Sequence, residues 1–144
     1  MLFDLYNEPY FWWIAHGQDA WELWRDGGTI TQYVTGADPY QVPYAWQSAG
    51  MQAMLNAVRS AGASNVVIAS GVNWAGDLSG WLAHRPDDPL HQLAAGWHAY
   101  PHRKDPSIPA SGTVQYAYAL GITSAGIPVL VTETGEHNEP GTVA

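Results

Sequence analysis

Two glutamates stand where apolar segments of the chain end, and they are the residues best suited to chemistry. Glu8 lies in the run Asn7-Glu8-Pro9, just after residues 2–6, and Glu133 closes residues 129–133. In a parallel barrel the carboxyl ends of strands form the face that carries active sites. Two carboxylates facing each other across a sugar can hydrolyse a glycosidic bond, one protonating the leaving oxygen and the other attacking the anomeric carbon. Either glutamate alone would be interpreted as a solvated residue at a strand end. The hypothesis of glycoside hydrolysis therefore depends on the presence of both.

A third apolar segment, residues 93–98, leads into His98-Ala99-Tyr100. Because side chains alternate along a strand, His98 and Tyr100 point to the same side. A neutral histidine can donate or accept near a sugar hydroxyl, and a tyrosine hydroxyl can orient a nucleophilic carboxylate by hydrogen bonding. Taken alone, these two residues are typical of a half-buried histidine and a packing tyrosine.

The elements that must position these side chains alternate between strands and helices. Strands are predicted over residues 2–6, 66–70, 93–98 and 129–133. Helices are predicted over residues 43–61, 88–93 and 113–125, with Gly62 and Gly126 just beyond two of them. Long segments follow the strands, at 9–42 and 71–87, whereas the connections from helix to strand are short, as in a (β/α) barrel. The predicted fold is therefore α/β, with parallel strands joined by helices.

Composition excludes several classes of function. The 144 residues are 47% hydrophobic and 12% charged, which opposes intrinsic disorder. The formal net charge of −8 and the absence of a basic stripe make nucleic acid and anionic membrane surfaces poor partners. There is no cysteine, no apolar run of the roughly 20 residues that span a membrane, and no signal-peptide pattern in MLFDLYNEPY. Eight Trp and eight Tyr predict either an aromatic core or stacking on flat, uncharged ligands.

The ordered set of motifs resembles glycoside hydrolase family 5, in particular its bacterial cellulase (endo-β-1,4-glucanase) branch. The motifs are Asn7-Glu8-Pro9, His98-Ala99-Tyr100 and Thr132-Glu133-Thr134-Gly135, together with residues 50–63 and the run from Trp74 to Leu82 followed by Arg85-Pro86. The resemblance covers about residues 2–137. It implies a retaining hydrolase of β-1,4-glucan that needs no cofactor and no metal.

The resemblance also implies a role for each site residue. Glu8 would be the acid/base and Glu133 the nucleophile, with Asn7 bonded to the sugar 2-hydroxyl, His98 bordering the same subsite and Tyr100 orienting Glu133. Trp74 is the best candidate for a stacking platform. Four tryptophans stand in the long first loop, Trp12, Trp13, Trp21 and Trp24. Trp12 is carried as a further substrate-binding candidate, whereas packing against the core is the simpler expectation for most of the four.

Length sets a limit on this assignment. A complete barrel of this kind has eight βα units in about 250 residues, whereas this chain supplies about four strands, corresponding to strands four to seven. We therefore expect residues 1–144 to be a partial catalytic domain, the C-terminal half of a TIM barrel without its last strand. Open sheet edges favour self-association. A polymeric substrate implies that the parent protein is secreted.

Two alternatives stay open. The chain could be a non-catalytic remnant or carbohydrate-binding piece that keeps aromatic platforms, or a β-mannanase or other β-glycanase, because loops and subsite walls set specificity.

Overall fold

The computed structural model describes residues 1–10, 18–32, 44–100 and 112–135. In chain order the elements are β1 (Phe3–Asp4), α1 (Ala20–Asp26), β2 (Gly27–Gln32), β3 (Tyr44–Ala49), α2 (Met51–Ser60), β4 (Val67–Ser70), α3 (Trp81–His84), β5 (Leu93–Ala99), α4 (Gly112–Ser124) and β6 (Val129–Thr134). Four strands form one parallel sheet in the order β1-β4-β5-β6, curled as half of a barrel. The predicted α/β partial TIM barrel is confirmed for the described residues.

The two faces of this sheet have different partners. Ala69 of β4 and Ala95 of β5 are fully buried in the core that the helices cover. Their neighbours Ser70 and Gly96, which pair in the register of the two strands, therefore lie on the inner face. A Cβ on Gly96 would collide with the Ser70 hydroxyl, so glycine lets the inner faces of β4 and β5 approach closely.

The glycines predicted to end two helices do so. Gly62 has φ of +82° after α2, and its amide donates to the carbonyl of Arg59. Gly126 has φ of +81° after α4, and its amide donates to the carbonyl of Thr123. Glycine reaches this left-handed conformation without a steric cost, so both helices end at a sharp turn toward the next strand.

Two predicted helical segments are wrong. Residues 44–49 form β3, which pairs antiparallel with β2, so α2 begins only at Met51. Residues 88–92 form a turn in which the Asp88 carboxylate accepts from the amides of Leu90 and Gln92. These side-chain bonds replace the bonds a helix would make. The short helix of this region is α3 instead, and residues 85–92 separate it from β5.

Tryptophan builds much of the core between helices and sheet. Trp24 and Trp81 are at most 1% exposed, and their indole N–H groups donate to the carbonyls of Ser70 and Ala69 at 2.9 and 2.8 Å. Trp21 packs edge-on against Trp24. The expected packing role is thus confirmed for Trp21 and Trp24, whereas Trp12 and Trp13 lie outside the described residues.

A buried ion pair fixes α2 to the turn before β5. The Arg59 guanidinium donates to both carboxylate oxygens of Asp88 at 2.8 Å, and the two side chains are 8% and 2% exposed. Arg59 also donates to the carbonyls of Ala63 and Asn65, so most of its donors are used. This guanidinium lowers the pKa of Asp88 from 3.8 to about 2, and hydrogen bonding to that carboxylate raises the pKa of Arg59.

Apolar surface remains open on the outside of α4. Val114, Tyr116, Tyr118 and Leu120 are all exposed, and α4 has no charged residue in its first or last turn. Among the described residues, no helix combines the length and apolar character needed to cross a membrane.

Candidate active site

The two glutamates singled out from the sequence meet at the carboxyl edge of the parallel sheet. Glu8 follows β1, and Glu133 lies near the end of β6. Between them stands His98, near the end of the central strand β5. One ligand atom from each of the three side chains lies within 4.8 Å of the other two. The strand order therefore brings near one another groups that are 125 residues apart in the chain.

A β-bulge turns Glu133 toward this site. In the register of β5 and β6, Trp97 pairs with Val131, but His98 pairs with Glu133, so Thr132 is skipped. Without the bulge, alternation would put Glu133 on the same face as Val131, toward the helices. The extra residue moves the carboxylate to the face that carries His98. Bulges often re-aim a side chain next to active sites.

His98 lies between the two carboxylates. Its Nδ1 is 3.0 Å from Glu8 Oε1 and 3.6 Å from Glu133 Oε2. The side chain is 1% exposed, whereas those of Glu8 and Glu133 are 34% and 45% exposed. The Nδ1 atom and Glu8 Oε1 are within hydrogen-bond distance, and the hydrogen comes from Nδ1 when the carboxylate is ionised or from Glu8 when it is protonated. A single buried imidazole nitrogen thus faces both acids, while the acids themselves remain open to solvent and to a ligand.

Tyr100 orients the carboxylate of Glu133. Its hydroxyl donates to Glu133 Oε1, the oxygen that does not face His98. Each oxygen of Glu133 therefore has its own neighbour, which limits rotation of the carboxylate. Next to it, the Thr134 hydroxyl donates to the carbonyl of Ala99 at 2.7 Å and ties the ends of β5 and β6 together. A Cβ on Gly135 would lie 3.1 Å from the Tyr100 ring, so the small residue leaves room for the tyrosine.

The other residues predicted to bind substrate are not part of the cluster of Glu8, His98 and Glu133. Asn7 is exposed beside Glu8, and its side chain makes no hydrogen bond within the described part of the chain. Trp74 is half-buried, and its ring stacks on Tyr10 with centroids 4.0 Å apart. Tyr10 went unnoticed in the sequence, although an aromatic residue two positions after Glu8 is a usable signal. Trp12 lies outside the described residues.

A polar pair continues the site down the inner face of the sheet. The fully buried Ser70 hydroxyl lies 3.5 Å from Asp4 Oδ1, which also accepts from the amide of Tyr6. Desolvation raises the pKa of Asp4, and the hydrogen bonds and His98 act in the opposite direction. Neither residue was singled out from the sequence, because an Asp and a Ser inside short apolar strands carry no motif.

The central cluster has the donors of a cation site. Two carboxylates and one imidazole could hold a divalent ion, since their ligand atoms lie within 4.8 Å of one another. The same three groups also have the equipment for acid/base and nucleophilic chemistry on a sugar, which uses no metal.

Comparison with known proteins identifies the family of this site. The family model described as Cellulase (glycosyl hydrolase family 5) matches residues 1–144, the whole chain. Neither the curated proteins nor the solved structures that were compared gave a match.

Proposed function

This chain belongs to glycosyl hydrolase family 5, and from that premise we propose that it cleaves internal β-1,4 bonds of a glucan with retention at the anomeric carbon. One observation carries the proposal: an oxygen of Glu8 lies within 4.8 Å of an oxygen of Glu133, with His98 between them. Retaining glycosidases hold their two carboxyl groups about 5–5.5 Å apart, whereas inverting enzymes leave about 6.5–9.5 Å for a water molecule. The short spacing supports direct attack by one carboxylate.

In this mechanism Glu8 acts first as an acid. Its carboxyl group gives a proton to the glycosidic oxygen while Glu133 attacks the anomeric carbon, so the bond to the leaving sugar breaks and a glycosyl ester forms on Glu133. Glu8, now ionised, then takes a proton from water. The resulting hydroxide attacks the same carbon, releases Glu133 and leaves Glu8 protonated for the next cycle.

The neighbours of the two glutamates support this division of roles. The hydrogen bond from Tyr100 leaves Glu133 acting as an acceptor, as an ionised nucleophile does. The buried His98 lies within hydrogen-bond distance of Glu8 and helps to hold its carboxyl group in place beside Glu133. Exposed Asn7, adjacent to Glu8, is available for the sugar 2-hydroxyl, and the stacked pair Tyr10 and Trp74 offers a flat aromatic surface for glucose rings.

A glutamate-to-glutamine series tests the proposal on carboxymethyl-cellulose. Glu8→Gln removes the acid and should lower the rate by about 10²–10⁴-fold, and Glu133→Gln should abolish turnover because no glycosyl ester can form. Glu22→Gln, in the first turn of α1, is the matched control, because Glu22 is an exposed carboxylate away from the cluster. Equal activity of Glu8→Gln and Glu22→Gln would refute the role of Glu8.

Substrates with an activated leaving group separate the two roles. Dinitrophenolate leaves a dinitrophenyl cellobioside without needing a proton. Glu8→Gln should therefore still form the glycosyl ester and release a burst of dinitrophenolate. Glu133→Gln should give no burst. Glucan binding without turnover in the unsubstituted chain would favour the carbohydrate-binding alternative, and faster cleavage of mannan than of glucan would favour a β-mannanase.

We further propose that two copies associate through their open sheet edges and apolar surfaces. Val131 of the edge strand β6 and Leu2 before β1 are more than half exposed, at 52% and 55%. Each chain has a net charge of −8, so two copies repel each other over most of their surface. The exposed apolar side chains of α4 offer a place of contact without this repulsion, because the first and last turns of this helix carry no charge. Light scattering on a size-exclusion column should give the mass of a dimer, and a monomer at all concentrations would count against the proposal.

The site of action follows from the proposed substrate. A glucan polymer cannot enter a cell, so we propose that the protein works outside it. Activity in the culture medium rather than in the washed cell fraction is the expected result, and activity confined to the cells would contradict it.

A further inference from the structure

Three successive residues without the freedom of glycine adopt the left-handed conformation after β4. Asn73, Trp74 and Ala75 have φ of +54°, +58° and +55°. Asparagine tolerates this region, but tryptophan and alanine are strained there. Glycine stands nearby at positions 71 and 76, yet not at these three positions. Such strain persists only where the surroundings dictate the conformation, and it clusters at functional sites.

Buried hydrogen bonds hold the turn in place. The amide of Asp77 donates to the carbonyl of Val72 at 3.0 Å, and the amide of Gly76 donates to the carbonyl of Asn73 at 3.1 Å. Asp77 is 3% exposed and accepts from the side chain of Gln115 in α4. Ala75 is fully buried at the centre of this arrangement. The loop is therefore a rigid part of the core.

The same turn is bonded to both sides of the candidate active site. The amide of Trp74 donates to the carbonyl of Pro9, the residue after Glu8, at 3.2 Å. The amide of His98 donates to the carbonyl of Ala75 at 2.9 Å. The left-handed conformation points the N–H of Trp74 at the segment that carries Glu8, and it points the carbonyl of Ala75 at β5. An extended backbone at residues 73–75 would break both contacts.

We propose that the turn formed by Asn73, Trp74 and Ala75 is a positioning element that sets the placement of His98 relative to Glu8. None of these backbone groups reacts with substrate; the turn acts through the main chain of Pro9 and His98. The proposal rests on the function proposed above for its effect on turnover, but the contact between His98 and Ala75 can be tested without turnover.

The matched variants are Asn73→Gly and Asn73→Ala. Both delete the same side-chain amide at a half-buried position, and they differ in the ease with which the new residue adopts φ of +54°. Asn73→Gly should keep kcat within about twofold of the value for the unsubstituted chain, whereas Asn73→Ala should lower kcat by about five- to tenfold. KM should change by less than about twofold in both, because the turn acts on the reacting groups.

Amide hydrogen exchange at His98 gives the readout that is independent of activity. It should be faster in Asn73→Ala than in Asn73→Gly, while exchange in the core strand β4 should stay equal in both. Equal kcat and equal His98 exchange in the two variants would overturn the proposal. A loss of kcat matched by a general loss of stability would also overturn it, since that is the sign of a merely structural role. If the unsubstituted chain hydrolyses no glycan, the proposed function fails, and the exchange rates still decide the role of the turn.

Discussion

Replacing Asp88 by asparagine removes the charge of the buried ion pair while keeping the shape of the side chain. Arg59 and Asp88 are 8% and 2% exposed and share two hydrogen bonds of 2.8 Å. Asp88→Asn leaves the guanidinium buried without its counter-charge, which typically costs about 3–5 kcal/mol. The amides of Leu90 and Gln92 also lose a charged acceptor. We expect the free energy of unfolding at pH 7 to fall by about 3 kcal/mol.

The pH dependence of stability gives a second, independent magnitude. The pKa of Asp88 is held at about 2 instead of 3.8, and at about 1.4 kcal/mol per pKa unit this difference corresponds to about 2–3 kcal/mol. Because the folded-state pKa is depressed, this stability is present above about pH 4 and is lost as the pH falls toward 2. The Asp88→Asn variant has no such group, so its stability should fall less over this window.

Urea unfolding followed by tryptophan fluorescence measures both quantities, at pH 7 and between pH 4 and 2. Asp87→Asn is the matched control, because this neighbouring carboxylate is 82% exposed and pairs with Arg25 at the surface. An exposed ion pair contributes about 0–1 kcal/mol, so the control should remain close to the unsubstituted protein. If Asp88→Asn and Asp87→Asn lose the same stability, or if the acid slope of Asp88→Asn is unchanged, then the ion pair does not have the energetic role assigned to it.

Three further predictions concern the site and the sheet. Tyr100→Phe removes the donor to Glu133, so kcat on a soluble glucan should fall by about 10–100-fold, the effect of one hydrogen bond to a charged group, with intact folding by circular dichroism. Gly96→Ala should lower the free energy of unfolding by about 1–3 kcal/mol, because its Cβ would lie 2.8 Å from a methyl carbon of β4, whereas Gly121→Ala, whose Cβ meets nothing within 4 Å, should not. Trp74→Ala should raise KM for cello-oligosaccharides about tenfold, equivalent to ~1.4 kcal/mol, and an unchanged KM would exclude Trp74 as a sugar platform.

The sequence predicted those features that depend on local pattern. Apolar runs located the four parallel strands to within about two residues, and Gly62 and Gly126 correctly marked helix ends. Alternation placed His98 and Tyr100 on one side, and the structure brings both to Glu133. These properties are set by a few neighbouring residues, so they can be read without knowledge of the tertiary structure.

Features set by tertiary contacts could not be predicted in the same way. Residues 44–49 were predicted to belong to the helix because Pro43 suits a first turn, yet they pair with β2, and the close approach of Gly27 and Gly50 leaves no room for a Cβ on either. The bulge that skips Thr132 arises from the register between two strands, which neither strand encodes alone. The left-handed turn after β4 is imposed by its partners, because two of its three residues disfavour that conformation.

The two glutamates are held by different means, and this difference bears on how the site works. Glu133 lies within β6, whose pairing with β5 extends to Thr134, so the sheet itself fixes its backbone. β1 pairs with β4 at only two residues, Phe3 and Asp4, and Glu8 stands four residues beyond. The main chain beside Glu8 is held instead by the bond from Trp74 to Pro9, and its carboxylate by His98. Glu8, the proposed acid/base, is therefore held by fewer backbone contacts than Glu133, as would suit a residue that serves first the leaving oxygen and then a water molecule.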